Sequence, residues 1–267
     1  MACGSTAITD MASAIVGPAP ISVIGKLRIA VRVSAMIALL LLSVPGYYLW
    51  RALRLANPWP RWFLGGVAMV AGVEVQITGQ RVRRGAFFLT NHVSWLDVPA
   101  LAGATGAAFV AHDGLAAFPV LKWLCEMNDT VFVARHDRAS VAEQVALVRT
   151  AIAETNALAV FPEGTTSDGT GLLAFKSSLL SALDPVPAGV AVQPVLLDYG
   201  AEAADIAWVG EEHGFDNFKR ILARGRPIRL TLRFLPPLTG AALHDRKTMA
   251  TAARAAMLAE LQRGRTV

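Results

Sequence analysis

The chain has 267 residues, of which 54% are hydrophobic and only 17% charged, and its formal net charge is +5. Its mean hydropathy of +0.45 is greasy for a soluble enzyme and points to a membrane connection, while the basic balance points to an anionic partner surface. The Lys and Arg residues are scattered and no nucleic-acid module or stacking-aromatic signature is present, which sets nucleic acid aside and leaves anionic lipid. The length suffices for one large domain or two small ones. Cys3 and Cys125 are poorly placed for a structural disulfide, which favours a reducing compartment. No metal-ligand spacing occurs among them and the five histidines, so no metal is expected.

Residues 1–20 are rich in Ala, Ser, Gly and Pro with Asp10 as their single charge, the composition of a disordered tail. Lys26, Arg28 and Arg32 then introduce an uncharged run over 33–50. Pro45 and Gly46 are expected to interrupt this run, leaving an apolar core shorter than a comfortable span. No convincing small-residue cleavage site follows, so the segment reads as an uncleaved anchor rather than a secretory signal. Arg51, Arg54 and Arg61 alternate with Trp50, Trp59 and Trp62 before a second uncharged run over 62–73. Aromatic and arginine side chains, each with an apolar body and a polar end, suit the membrane interface. Residues 21–73 are therefore expected to form a membrane-anchoring helical hairpin that dips into one leaflet. A single span and a pair of buried core helices are the alternatives.

From residue 74 to 267 short apolar runs alternate with helical stretches, predicting one α/β catalytic domain. The expected strands are 75–78, 86–89, 107–111, 130–134, 157–161, 190–197 and 228–234. The expected helices are 95–102, 115–127, 139–155, 175–183, 217–223 and 246–263. Strands separated by helices imply a sheet covered on both faces, mixed but largely parallel.

The chemistry concentrates at the end of the second strand, where Asn91 and His92 follow an apolar run and Asp97 follows five residues later. His92 is a side chain able to take and return a proton near neutral pH, and a nearby carboxylate fixes the tautomer of such a base. Residues five apart do not share a helix face, so the pair meets only if His92 lies in the turn and Asp97 in the first helical turn. Ser94 and Asp97 also fit a helix-start box, which leaves a purely structural role open for Asp97. Pro162, Glu163, Gly164, Thr165, Thr166 and Ser167 follow another buried strand. Gly lets that backbone turn tightly and the hydroxyls add donors, a loop suited to an anion. Residues 164–170 have P-loop spacing without its lysine, and no G-x-S-x-G elbow exists for a serine hydrolase.

The run Asn91-His92-Val93-Ser94-Trp95-Leu96-Asp97 resembles the first N-H-x-x-x-x-D signature of the glycerolipid acyltransferases, the 1-acylglycerol-3-phosphate acyltransferase family. Further signatures follow in the family's order, and the resemblance covers roughly 62–237. It implies a catalytic His92 and Asp97, and an Arg135 that contacts the acceptor phosphate with the planar fork of its guanidinium. Arg138 is a second candidate. Glu163 is expected on a glycerol hydroxyl or positioning Arg135, with Gly164, Thr165 and Lys176 around the head group. Where the family normally carries a lysine, this chain has Val110-Ala111-His112-Asp113. The implied reaction moves an acyl group from acyl-CoA or an acyl-acyl carrier protein to the hydroxyl of lysophosphatidate, with no cofactor. Other lysolipids such as lyso-ornithine lipid are the alternative acceptors, and a non-catalytic lipid-binding protein is a further one. The expected location is the cytoplasmic face of the inner membrane.

Overall fold

The structure is a computed structural model that describes residues 21–112, 114, 117–133 and 141–265. The expected tail over 1–20 lies outside the described residues, as do Asp113, Arg135 and Arg138.

At the centre stands β2 (Ala86–Thr90), every residue of which is buried. Its β-rich apolar sequence suits a strand covered on both faces: Phe88 packs into one core and Phe87 and Leu89 into the other. Parallel partners flank it on each side, β5 (Ala157–Val160) and β6 (Ala191–Asp198). The sheet continues through β3 (Ala108–His112) and β4 (Val131–Val133) at one edge, and through β7 (Ile228–Phe234) and β1 (Val73–Gly79) at the other. The order is β1-β7-β6-β2-β5-β3-β4, with β6 and β7 the antiparallel neighbours, so the sheet is mixed and largely parallel as the sequence predicts.

One face is covered by α2 (Trp59–Ala71), α3 (Asp97–Thr105) and α7 (Gly214–Ala223), with α1 (Val23–Ala52) packed outside α2 and α7. The other carries α5 (Val141–Glu154), a 3₁₀ turn at Ser177–Leu183 and α8 (Arg246–Arg265). The helices α4 (Pro119–Met127) and α6 (Ala203–Ile206) complete the connections. The stretch expected as a helix over 175–183 is thus a 3₁₀ turn, and the helix expected from residue 95 starts at Asp97.

The amino-terminal segment is helical, but the expected break at Pro45 and Gly46 does not occur: α1 continues through both to Ala52. Pro45 takes away one backbone donor, and the remaining hydrogen bonds of a helix of 30 residues carry the chain past it. Gly46 acts instead as a landing place for Trp59, whose ring lies 2.2 Å from where a Cβ would stand. Helix α1 is long and apolar enough to cross a membrane, and it is hardly buried by the rest of the protein. Its outer face exposes Leu27, Val31, Leu41 and Leu42.

Polar contacts fasten the two helices to the domain. Arg32 of α1 donates to the carbonyls of Leu222 (3.0 Å) and Arg224 (3.1 Å), groups left unpaired where α7 ends. Arg61 of α2 and Arg81 do the same at the end of α3, both reaching the Ala104 carbonyl. Between α2 and α3, Gly65 and Gly103 meet backbone to backbone.

Candidate active site

Three neighbouring parallel strands, β6, β2 and β5, release their chains at the same end of the sheet. Loops at the carboxyl ends of such strands are where open α/β sheets place their ligands. Asn91 marks the exit of β2: its amide donates to the Leu197 carbonyl (3.0 Å) and its oxygen accepts from the Leu197 amide (2.8 Å). The side chain thereby extends the β2–β6 pairing by one step and frees the main chain to turn.

His92 lies in that turn and Asp97 in the first turn of α3, the arrangement required for them to meet. His92 Nδ1 and Asp97 Oδ2 are 2.7 Å apart. The same Oδ2 accepts from the amides of Val93 (2.6 Å) and Ser94 (2.9 Å), so Asp97 fills the structural role as well as the one beside histidine. Asp97 Oδ1 accepts from the Tyr199 hydroxyl at 2.6 Å. Asp97 is fully buried, whereas the His92 side chain is 20% exposed. A carboxylate on Nδ1 holds the proton of neutral imidazole there, which leaves Nε2 as the free acceptor. Phe161 stacks on the His92 ring with centroids 4.1 Å apart and fixes its plane.

The turn after β5 grips the backbone of this histidine. Glu163 Oε2 accepts from the His92 amide (3.4 Å) and Oε1 from the Leu173 amide (3.2 Å). The His92 carbonyl accepts from the Ser167 amide (2.7 Å) and hydroxyl (3.1 Å). Glu163 is 1% exposed. Burial pushes its carboxyl up to about 7, against the pull of the two amides and of His92. The sequence expectation placed Glu163 on an acceptor hydroxyl or beside Arg135; here both oxygens serve backbone amides inside the protein. Two of the three hydroxyls expected to face an anion are also taken, since Thr166 Oγ1 donates to the Trp208 carbonyl and Ser167 to His92. Thr165 is left exposed.

Gly164 has φ +69°, where a side chain would be strained, and a Cβ there would stand 2.9 Å from Lys176 Nζ. Lys176 therefore lies over Gly164 on the rim, its own amide bonded to the Pro162 carbonyl (2.7 Å). His92, Asp97, Glu163, Gly164 and Lys176 are thus brought to one end of the sheet.

Tyr199 and Phe161 were not among the sequence candidates. Phe161 read as the end of a strand. Tyr199 follows β6 with no local motif to mark it, and only the pairing of β6 with β2 brings it near Asp97. The loop at Trp208 also holds the site, because the Trp208 amide donates to the Val93 carbonyl (2.9 Å).

The chain is 32% identical over 247 residues to a lyso-ornithine lipid O-acyltransferase of Brucella abortus, an alignment covering 85% of this chain and 91% of that protein. The chain belongs to the glycerolipid acyltransferase family. Residues 73–198 match the Acyltransferase family directly. A lyso-ornithine lipid O-acyltransferase of Pseudomonas aeruginosa is 31% identical over 87% of this chain and 93% of its own length. A 1-acyl-sn-glycerol-3-phosphate acyltransferase of Neisseria gonorrhoeae is 34% identical over 49% of this chain and 51% of its own. The fold is shared with the crystal structure of the 1-acyl-sn-glycerophosphate (LPA) acyltransferase PlsC from Thermotoga maritima. That similarity has a TM-score of 0.63 and 19% identity over 91% of this chain and 98% of that one. This acyltransferase acts on lipids, and its apolar α1 is consistent with membrane association.

Proposed function

We propose that this acyltransferase moves a fatty acyl group from a thioester to the free hydroxyl of a lysolipid, with His92 as the base. The observation that carries the reading is the bond between His92 Nδ1 and Asp97, which leaves Nε2 without a partner among the described residues, on the one partly exposed member of the pair. Nε2 takes the proton of the acceptor hydroxyl as its oxygen attacks the thioester carbonyl. Asp97 supports the imidazolium while the tetrahedral intermediate lasts. Collapse breaks the carbon–sulfur bond, and the departing thiolate receives the proton. The lipid supplies the nucleophile, so no acyl-enzyme is required. Acyl-CoA or an acyl-acyl carrier protein serves as donor, at the cytoplasmic face of the membrane.

Lyso-ornithine lipid is the acceptor the relatives favour, because those bearing that name align over 85% and 87% of this chain. Lysophosphatidate is supported by the Neisseria relative and by the turn after β5, where Lys176 lies over Gly164. Both acceptors carry an anion, a carboxylate in one and a phosphate in the other, which suits Lys176, Thr165 and the Arg135 that the family resemblance implies.

The test is turnover of the purified protein with each acceptor, offered acyl-CoA and acyl carrier protein in turn. Wild-type protein is expected to transfer the acyl group to lyso-ornithine lipid, and His92→Ala to lower the rate roughly 10²- to 10⁴-fold with lipid association retained. Turnover of lysophosphatidate alone reverses the order of acceptors, and an unaffected His92→Ala variant removes the proposed base.

A further inference from the structure

Among the described residues, four hydrogen bonds reach Asp97, unevenly shared. Three converge on Oδ2, from His92, Val93 and Ser94. Oδ1 accepts from the hydroxyl of Tyr199 at 2.6 Å, its one partner among the described residues. Tyr199 is 3% exposed and stands 102 residues away in the chain, at the end of β6. Nothing local in the sequence demands this phenol, and phenylalanine would fill the same apolar surroundings.

We propose that Tyr199 is a positioning residue of the proton-handling unit, setting the basicity and orientation of His92 through Asp97. The proposal rests on the acyl-transfer reading above. The last torsion of an aspartate side chain is broad, so a carboxylate bonded through one oxygen alone can rotate. The Tyr199 hydroxyl holds the second oxygen and keeps Oδ2 aimed at Nδ1. It also draws charge away from the carboxylate, which moderates the pull of Asp97 on the imidazolium and keeps Nε2 free at lower pH. Burial, reinforced by the charge of Asp97, holds the phenol well above its ordinary pKa, so it remains a donor throughout the working range. Among the described residues, the other titratable group facing this unit is Glu163, from the turn after β5, with Lys176 over Gly164 at the rim. Asp198, beside Tyr199 in the chain, is turned to Arg233 at 3.0 Å.

The experiment compares the pH profile of kcat and kcat/KM for acyl transfer in wild type, Tyr199→Phe and protein carrying 3-fluorotyrosine at 199, a stronger donor. Glu163→Gln serves as a control for the other group that titrates nearby. The His92 Nδ1–H resonance, followed by NMR without substrate, gives a readout independent of activity. Tyr199→Phe is expected to move the acidic limb up by roughly half a pH unit and to lower kcat about threefold to tenfold at neutral pH, with the acceptor KM little changed. Fluorotyrosine is expected to move the limb the other way. Opposite displacements, with the His92 proton resonance shifted in both proteins, establish the coupling. A limb and resonance unmoved in both, or a loss confined to KM or to thermal stability, overturns it. A wild-type protein without acyl transfer overturns the underlying reading instead, while the resonance still reports whether Tyr199 acts on His92.

Discussion

At the residue scale, the site is a set of buried groups whose partners are nearly all main chain. Glu163 illustrates the consequence. Its carboxyl rises from the usual 4.5 to about 7 on folding because burial penalises the charge more than two amides repay it. Between those values the folded protein holds a proton that the unfolded chain has released, so stability falls as pH rises through the window. The loss is roughly 3 kcal/mol for a shift of this size. Chemical denaturation at a series of pH values should show this loss in wild type and a flatter curve in Glu163→Gln, which cannot ionise. Equal slopes in the two proteins would show that Glu163 does not carry the shift. The His92 and Asp97 pair was legible in the sequence because both residues sit in one seven-residue motif. The work of Glu163 was not, because a carboxylate serving backbone amides and one serving a ligand are written with the same letter.

At the element scale, close backbone approach decides how α2 sits on the helix that carries Asp97. A Cβ on Gly103 would stand 2.4 Å from the Gly65 Cα, and backbone there has no flexible end to yield. Alanine is the better helix former, yet the overlap outweighs that preference. Gly103→Ala is expected to destabilise the protein by about 1–3 kcal/mol, whereas Gly171→Ala, with nothing within 4 Å, should leave thermal unfolding unchanged. A Gly103→Ala protein as stable as wild type would show that α2 is not seated on α3 by this contact. Most strands were readable from their apolar runs, and β7 matches its predicted bounds. The stretch at Ser177–Leu183 was misread as an α-helix because a short apolar run does not distinguish a 3₁₀ turn from an α-helical one.

At the scale of the whole molecule, the apolar outer face of α1 gives the enzyme its greasy composition. Leu41 and Leu42 are 69% and 64% exposed, so charging them should disturb the exposed apolar surface and not the core. Leu41→Asp combined with Leu42→Asp is expected to shift the protein from sedimenting vesicles toward the supernatant while its melting temperature holds; unchanged sedimentation would place membrane contact elsewhere. The sequence by itself determined the class of sheet, the helical amino-terminal segment and the pairing of His92 with Asp97, because each is a local pattern of hydrophobicity or spacing. Only the tertiary structure decided that Glu163 and Ser167 grip the histidine backbone, that Tyr199 completes the bonding of Asp97, and that α1 runs unbroken through Pro45. Those outcomes depend on which strands become neighbours and which helices meet, and contacts between residues 71 to 102 positions apart leave no trace in local pattern.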